Sequence, residues 1–290
     1  MMSCNACNSN NSRLIFKKNG QVLLKCAACG LVFREVMPTE SQLSALYTEA
    51  LFKDEARLHY YIEDQLTNAL NARANSLLVR QHKKEGRILD VGSAFGSFLE
   101  TMERQGWDVW GNELSRFAAE YTQGRVLGRV TQGDFLAADL PRDYFDAVTM
   151  WDFIEHVPNP FANLAKANEL LKKGGLLFIS TGDIGSMLAR ILGEHWKLLK
   201  PDQHLFYFGY PSIQRLLERA GFSVVAKMHR GRYFNFEYLL RSSEQEYKNK
   251  AVRIICRVLL RVKKRLRLLP PRIYINLGDI MTVVAMKLKQ

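Results

Sequence analysis

The middle of the chain alternates short apolar segments with longer amphipathic ones, beginning after Gly86. Apolar segments of strand length, separated by helical periodicity, predict parallel strands that are covered by helices on both faces. The predicted strands are 87–91, 108–112, 128–131, 145–150, 176–180 and 223–228. A further apolar segment at 279–286 adds a seventh strand after a long intervening stretch. We therefore expect an α/β protein built on a parallel sheet.

Residues 1–36 have a different pattern, in which two Cys-x-x-Cys pairs flank short alternating segments. The pairs are Cys4 with Cys7 and Cys26 with Cys29. A unit of this size buries too little apolar surface to fold alone, and Zn²⁺ held by four thiolates would supply the missing stability. The spacing predicts a zinc ribbon with a structural role, because a closed four-cysteine site leaves no position open for chemistry.

The remaining segments divide the chain further. Residues 37–84 have helical periodicity and are predicted to form a linker or lid. The core is expected to cover 85–232, and a basic helical insertion at 233–274 precedes the final core strand at 275–290.

The formal net charge of +12 is concentrated in one segment. Residues 241–272 hold eleven Lys and Arg against two Glu, a local charge of +9. Within it, 251–269 is predicted to form an amphipathic helix, with Arg at every fourth position from 253 to 265. Such a helix can pack on the core, contact an anionic membrane peripherally, or bind nucleic acid. Nucleic acid is the least favoured partner, because the helix lacks the aromatic residues that stack on bases.

The N-terminus is polar and lacks the apolar run of a secretory signal. No segment reaches the roughly 18 uninterrupted apolar residues of a membrane span. Paired cysteines in this arrangement suit a reducing compartment. We expect a cytoplasmic protein, which the basic helix could hold at the inner face of the membrane.

The segment ILDVGSAFGSFLE, residues 88–100, carries the clearest chemical signal. An apolar strand ends at Asp90, and a turn with Gly92 and Gly96 leads into a helix near Ser97. Glycine is needed where the backbone approaches a ligand closely or takes a positive φ. In open α/β sheets, ligands bind at the carboxyl ends of the strands, where this turn lies. The turn therefore predicts a ligand site, and its neighbours must identify the ligand.

Two further acids follow the next two strands. Glu113 ends the second strand, where a carboxylate can accept hydrogen bonds from both ribose hydroxyls. Asp134 follows the third strand, where it can accept a hydrogen bond from an adenine amino group. A dinucleotide-binding fold also places an acid after its second strand, but its Gly-x-Gly-x-x-Gly pattern fails at Ala94 and Ser97. Three acids after three successive strands predict a nucleoside site.

With these residues in place, 86–230 resembles the class I S-adenosylmethionine-dependent methyltransferases. The resemblance implies a Rossmann-like seven-stranded sheet, mostly parallel with an antiparallel last strand. It implies that Asp90, Gly92 and Gly96 border the methionine moiety, that Glu113 holds the ribose, and that Asp134 and Phe135 bound the adenine. Ala94, Leu114 and Trp151 complete the expected cofactor contacts. Ala94 departs from the family, which often has glycine there.

The acceptor side is expected after the fourth strand, in FDAVTMWDFIEHVPNP. By the same resemblance, Asp152, Glu155 and His156 lie beside the transferred methyl group. His204 is a second candidate, because it precedes an aromatic segment that is similar to the stretch before the sixth strand of small-molecule methyltransferases. Either histidine could serve as general base, since imidazole titrates near neutral pH, or could simply hydrogen-bond to the backbone.

Aromatic side chains are expected to frame an acceptor pocket, namely Trp196, Tyr207 and Tyr233. The leading hypothesis is methyl transfer to an oxygen, and less favourably a carbon, of a small-molecule, sugar or lipid-linked acceptor. Sugars are named because the zinc module resembles that of enzymes for surface-polysaccharide or natural-product biosynthesis. The alternatives are an RNA methyltransferase and a non-catalytic zinc-ribbon binding module.

Overall fold

The computed structural model describes residues 3–39, 64–246, 257–260 and 271–288 of the 290-residue chain. The strands are β1 (Ser12–Lys18), β2 (Gln21–Cys26), β3 (Val32–Arg34), β4 (Arg87–Val91), β5 (Asp108–Glu113), β6 (Arg129–Gln132), β7 (Phe145–Trp151), β8 (Leu171–Gly182), β9 (Phe206–Tyr207), β10 (Phe222–His229), β11 (Arg232–Asn235), β12 (Arg272–Ile275) and β13 (Ile280–Lys287). The helices are α1 (Gln65–His82), α2 (Ser97–Glu103), α3 (Arg116–Gln123), α4 (Pro160–Leu170), α5 (Met187–Leu192), α6 (Tyr210–Arg219) and α7 (Phe236–Glu246).

Seven strands form the central sheet in the order β10, β13, β8, β7, β4, β5, β6. β4 to β8 pair in parallel, whereas β13 is antiparallel to both of its neighbours. In β4, Ile88, Leu89, Asp90 and Val91 are all buried, as expected of a strand covered on both faces. The expected Rossmann-like sheet with an antiparallel last strand is therefore confirmed.

Polar side chains fix the beginnings of several helices. Asp64, Ser115, Asn159 and Ser186 each accept a hydrogen bond from a backbone N–H in the first turn of α1, α3, α4 and α5 respectively. Asp64 also accepts a 3.0 Å hydrogen bond from Arg272 in β12. The start of α1 is thus tied to the segment that leads into the last strand.

The N-terminal module is joined to the core by a shared sheet. β1, β2 and β3 are followed in this second sheet by β9, and Val32 of β3 pairs with Tyr207 of β9. Asn5 adds a second connection, because its carbonyl accepts a 2.7 Å hydrogen bond from Arg219 of α6. The alternating pattern predicted the three ribbon strands. It did not predict that the core supplies a fourth, which pairs with an otherwise exposed edge.

The insertion before the last strand begins with one strand and ends with another, and these two strands pair with each other. The sequence pattern did not predict this antiparallel pair. β11 pairs with β12, and Tyr233 lies opposite Tyr274. Residues 257–260 are helical. The rest of the predicted basic helix at 251–269 lies outside the described residues, as do 40–63 of the predicted lid.

Among the helices that are described, none combines the length and the apolar character needed to cross a membrane.

Candidate active site

The turn after β4 has the backbone geometry that its glycines predict. Gly92 has φ +74° and Gly96 has φ +72°. A Cβ on Gly92 would lie 2.8 Å from the ring of Phe153, and one on Gly96 would lie 2.3 Å from Cγ2 of Thr122. Ala94 lies between them with φ +46°, so it also takes the left-handed conformation that favours glycine. The turn keeps its tight shape with alanine at the position where the resembling family often has glycine.

Glu113 connects this turn to the end of β5. Its Oε2 accepts a 2.8 Å hydrogen bond from the backbone N–H of Ala94, and its Oε1 accepts one of 2.8 Å from Ser115. The carbonyl of Asn112 accepts hydrogen bonds from Gly92 and Ser93 in the same turn. Burial raises the pKa of Glu113 above its usual range. The carboxylate therefore shapes the turn through both of its oxygen atoms.

Asp90 lies at the end of β4, buried and 3% exposed. The parallel register with β7 places Thr149 beside it, and the Thr149 hydroxyl donates a 2.6 Å hydrogen bond to Oδ1. Burial, with a smaller effect of the charge on Glu113, raises the pKa of Asp90 to about 7 despite that hydrogen bond. A cationic ligand beside this carboxyl would favour its ionised form.

The predicted adenine end is less enclosed. Asp134 is exposed, and its Oδ1 accepts a 3.1 Å hydrogen bond from the backbone N–H of Leu136. Phe135 is buried and packs edge-on against Phe153, whose ring is also the neighbour of Gly92. Leu114 is 38% exposed at the rim. Phe153 was not a candidate from the sequence, because an aromatic residue after a strand carries no signal of its own.

Several buried polar atoms near the ends of β4 and β7 have no hydrogen-bond partner among the described residues. They include Oγ of Ser93 in the turn, Nε1 of Trp151 and Oε2 of Glu155. The Trp151 ring packs against Phe98 of α2 and Phe178 of β8. Buried polar atoms are normally paired, so unpaired ones near the carboxyl ends of β4 and β7 fit a polar ligand. Together with the close-fitting glycines, they fit S-adenosylmethionine at this edge.

Asp152 follows Trp151 in a left-handed conformation, with φ +50°. Its Oδ1 accepts a 3.1 Å hydrogen bond from the hydroxyl of Ser180, and its Oδ2 forms an ion pair with Arg232 of β11. Strain at a non-glycine residue is tolerated only when the surroundings fix it, and these two contacts do so. Asp152 is thus joined to Arg232, which sequence spacing gave no reason to place there.

Glu155 is buried one turn further along the chain. Burial, and next the negative charge of Asp152, raise its pKa to about 8, although a hydrogen bond from Thr181 acts in the opposite direction. The backbone carbonyl of Glu155 accepts N–H hydrogen bonds from Leu205 and Phe206. The loop after β7 is therefore joined directly to the segment that contains His204.

The structure brings together His156 and His204, which the sequence offered as alternative candidates for the general base. Their rings lie 4.7 Å apart between centroids at an angle of 89°. Nδ1 of His156 donates to the carbonyl of Gln203 at 3.0 Å, and Nδ1 of His204 donates to that of Leu198 at 3.1 Å. Burial lowers the pKa of His156, and burial together with the charge of His156 lowers that of His204 to about 3. The lowered pKa values favour the neutral form of both rings, and among the described residues the hydrogen bonds of the two rings involve Nδ1.

The same groups are close enough to share a metal ion. Ligand atoms of Glu155, His156 and His204 all lie within 4.8 Å of one another. Imidazole nitrogens whose other nitrogen donates to a carbonyl are suitably oriented ligands.

The predicted aromatic walls are only partly present. Trp196 is 1% exposed, and its Nε1 donates a 2.9 Å hydrogen bond to Asp279, so it belongs to the core and does not line a pocket. Tyr207 is 3% exposed and lies 5.9 Å from the His204 ring. Tyr233 packs on Tyr274 at 5.1 Å across β11 and β12. Helical and strand periodicity could not separate buried aromatic residues from those at a pocket.

The four N-terminal cysteines converge. Sγ of Cys4 lies 3.5 Å from that of Cys29, and Cys7 and Cys26 are 3.5 Å apart. All four sulfur atoms lie within 4.8 Å of one another, and none forms a disulfide. Each pair lies within the same kind of turn. In this turn the backbone N–H four residues after the first cysteine donates to that cysteine's carbonyl. Four unbridged thiols in matching turns fit tetrahedral Zn²⁺.

One further pair of polar side chains lies at the carboxyl edge and was not predicted. Nε2 of His229, at the end of β10, is 2.8 Å from Oδ2 of Asp183, just beyond β8. Asp183 is buried, and its Oδ1 accepts a 2.8 Å hydrogen bond from Gly185. The two residues are 46 positions apart, so only the sheet order reveals the pair.

Comparison with known proteins adds family information to this geometry. A family model described as a methyltransferase domain matches residues 58–227. The ubiquinone biosynthesis O-methyltransferase of Leptothrix cholodnii is 34% identical over 122 residues, 39% of this chain and 52% of that protein. Its counterpart in Xanthomonas campestris pv. campestris is 36% identical over 122 residues, 39% of this chain and 51% of that protein. The chain thus spans about half the length of the curated relatives it matches.

Solved structures agree with the fold. A SAM-dependent methyltransferase from Thermotoga maritima has a TM-score of 0.53 at 18% identity, covering 86% of this chain and 100% of that one. One from Archaeoglobus fulgidus has a TM-score of 0.52 at 20% identity, covering 79% of this chain and 100% of that one. At these identities the likeness concerns the fold alone.

Proposed function

Since the chain belongs to the methyltransferase-domain family, we propose that it transfers a methyl group from S-adenosylmethionine to an oxygen atom of a small acceptor. The observation that carries the proposal is the hydrogen bond of 2.8 Å that the Glu113 carboxylate accepts from the backbone N–H of Ala94. This bond joins the glycine turn to the end of the next strand. The curated relatives are named as O-methyltransferases, which supports oxygen over carbon as the methylated atom.

In this proposal Asp90, Gly92, Ala94 and Gly96 border the methionine moiety of the cofactor. Glu113 and Leu114 hold the ribose, Asp134 and Phe135 bound the adenine, and Trp151 lies beside the reacting end. The buried carboxyl of Asp90 suits the cationic groups of the cofactor, because a positive charge beside it offsets the cost of burying its ionised form.

When bound, S-adenosylmethionine would supply an electrophilic methyl group on its sulfonium sulfur, with S-adenosylhomocysteine as the leaving group. The chain's own contribution is chiefly positioning, which can be worth several kcal/mol of the barrier. We assign Asp152, Glu155, His156 and His204 to the acceptor side. The neutral rings of His156 and His204 present Nε2 atoms that can accept hydrogen bonds from an acceptor hydroxyl. Asp152 fixes the loop through Ser180 and Arg232.

The acceptor class is a small molecule with a hydroxyl group. Sugars and lipid-linked compounds are the narrower candidates, and the basic helix at 251–269 would suit a lipid-linked acceptor by holding the protein against an anionic membrane. We propose a cytoplasmic protein with this peripheral position. Co-sedimentation with vesicles of anionic and of neutral lipid, at two salt concentrations, tests the membrane contact. Equal sedimentation with both vesicle types would contradict it.

We further propose that residues 1–36 form a structural zinc ribbon. The four thiols supply the full ligand set of a closed Zn²⁺ site, so no open position remains for an acceptor. Its role would be to complete the fold, including the edge that pairs with β9.

Methyl transfer itself provides the test. The protein is incubated with S-adenosylmethionine carrying a deuterated methyl group and a panel of phenols, sugar nucleotides, lipid-linked glycans and RNA. Mass spectrometry then identifies which class gains the label. The proposal expects a labelled methyl ether on a hydroxyl compound. Label on an RNA base, or binding of S-adenosylhomocysteine without transfer to any hydroxyl, would contradict it.

A further inference from the structure

The pair formed by His229 and Asp183 has the arrangement of an oriented base. Nε2 of His229 donates to the Asp183 carboxylate at 2.8 Å, which leaves Nδ1 as the proton-accepting nitrogen. Asp183 is 5% exposed at its side chain, whereas the His229 side chain is 31% exposed. A buried carboxylate that orients a more accessible imidazole fixes its tautomer and stabilises the imidazolium that forms on proton uptake.

The other two histidines of this edge are built differently. Nδ1 of His156 and Nδ1 of His204 donate to neutral backbone carbonyls. A carbonyl orients a ring but stabilises its positive charge less than a carboxylate does. The two rings also lie 4.7 Å apart, so a proton on one opposes a proton on the other. These two rings are therefore better suited to binding a hydroxyl than to holding its proton.

The position of the pair connects it to the acceptor side. Ser180 of β8 donates to Asp152, and Asp183 follows Ser180 by three residues, just beyond the end of β8. His229 precedes Arg232 by three residues, and Arg232 forms the ion pair with the same Asp152. Asp152 therefore contacts two residues, Ser180 and Arg232, which lie three positions along the chain from Asp183 and His229 respectively. They place the pair at the same carboxyl edge as the loop that holds Glu155 and His156.

We propose that His229, oriented by Asp183, is the general base that takes the acceptor's hydroxyl proton. This inference rests on the proposed function. As the acceptor oxygen forms its bond to the methyl carbon, the carbon–sulfur bond breaks with its electrons passing to sulfur, and the hydroxyl proton passes to Nδ1 of His229. Of the charged residues within three positions of His229, Lys227 lies over the ring of Tyr210, which leaves Arg230 and Arg232. Both have their own partners, Arg230 the α1 residues Ala74 and Asn75, and Arg232 Asp152.

The test compares acceptors of different acidity. Methyl transfer at pH 8 to phenol, which is protonated there, and to 4-nitrophenol, which is mostly ionised there, is measured for the wild-type protein and for His229→Gln. Loss of a general base should lower kcat for phenol about 10²–10⁴-fold and change the 4-nitrophenol rate little. His195→Gln is the matched control, because His195 is an exposed histidine, 83% at its side chain.

Asp183→Asn provides a second variant that keeps the size of the side chain. Its amide can still accept from Gly185, but its NH₂ group faces Nε2 and would move the proton of His229 to Nδ1, which blocks proton uptake there. Long-range ¹H–¹⁵N correlation of the imidazoles reads this tautomer directly, without an acceptor. Equal loss of both acceptor rates in His229→Gln would overturn the inference and leave the proposed function standing. No transfer by the wild-type protein to either phenol or any other hydroxyl would overturn both.

Discussion

The backbone N–H of Ala94 and the carboxylate of Glu113 are joined by a 2.8 Å hydrogen bond. It links the turn after β4 to the end of β5 across 19 residues of chain. The same carboxylate accepts a hydrogen bond from the backbone N–H of Ser115, the residue that caps the start of α3. One buried acid therefore fixes both the turn and the helix start on which the proposed cofactor site depends.

Glu113→Gln should weaken cofactor binding. A glutamine side chain offers one acceptor oxygen and one NH₂ group, so one of the two backbone N–H groups would face another donor. Hydrogen bonds to charged groups are worth about 1.5–3 kcal/mol, so we expect S-adenosylhomocysteine to bind roughly 10- to 100-fold more weakly. Isothermal titration calorimetry measures this. The control is Glu120→Gln, an exposed partner of Arg116. Equal affinity of Glu113→Gln and the control would contradict the assignment.

Ala94→Gly should be tolerated or stabilising. Alanine at φ +46° carries a left-handed penalty of about 1–2 kcal/mol, which glycine removes at a smaller cost in unfolded-state entropy. We expect a change in the free energy of unfolding between zero and about 1 kcal/mol of stabilisation. Gly96→Ala is the contrasting variant, because its Cβ would lie 2.3 Å from Thr122, and it should destabilise by about 1–3 kcal/mol. Urea denaturation separates the two, and destabilisation by Ala94→Gly would refute the strain argument.

Asp90 should give stability a measurable pH dependence. Its pKa is raised to about 7 from 3.8, so the folded chain keeps a proton that the unfolded chain releases. The carboxyl therefore contributes stability that is fully present below pH 3.8 and is lost as the pH rises through about 7. Asp90→Asn should flatten this slope, which can reach about 1.4 kcal/mol per pH unit. Parallel slopes for wild type and Asp90→Asn in urea denaturation between pH 4 and 7 would argue against a buried, protonated Asp90.

Removing a zinc ligand should affect the core as well as the ribbon. Cys26→Ser is expected to abolish Zn²⁺ binding and to lower the free energy of unfolding by about 4 kcal/mol or more. Because β3 pairs with β9, which begins two residues after His204, the imidazole resonances of His204 should shift as well. Elemental analysis and NMR measure the two effects. Cys256→Ser, at the cysteine outside the N-terminal pairs, is the control. Unchanged zinc content in Cys26→Ser would contradict the proposed site.

The sheet could be predicted from the sequence because its signal is local. The central strands β4 and β7 are mostly apolar and almost wholly buried, and the predicted 87–91 matches β4 residue for residue. The acids at strand ends could be found for the same reason, since strand order places the ends of β4 and β5 side by side. Pattern and spacing along the chain thus specified the framework and the first residues of the site.

Contacts between distant segments could not be predicted in this way. The Arg232 ion pair with Asp152 joins residues 80 positions apart, and nothing in either segment distinguishes it from a solvated charge. The same holds for His229 with Asp183, and for β9, whose two residues are defined by pairing with β3. Trp196 is a different kind of error, because the sequence suggested a pocket wall and the structure buries this side chain in the core. Burial and partner choice depend on the assembled fold.

Calorimetric titration of the wild-type protein with S-adenosylhomocysteine, and separately with NAD⁺, tests whether the turn after β4 belongs to an S-adenosylmethionine site. Both ligands carry an adenosine, but only the first lacks the pyrophosphate that a dinucleotide-binding turn would hold. A turn with Asp90 buried behind it, and Ala94 and Ser97 where a dinucleotide site has glycine, should bind one S-adenosylhomocysteine per chain and give no heat with NAD⁺. Binding of NAD⁺, or no heat with S-adenosylhomocysteine, would contradict the account.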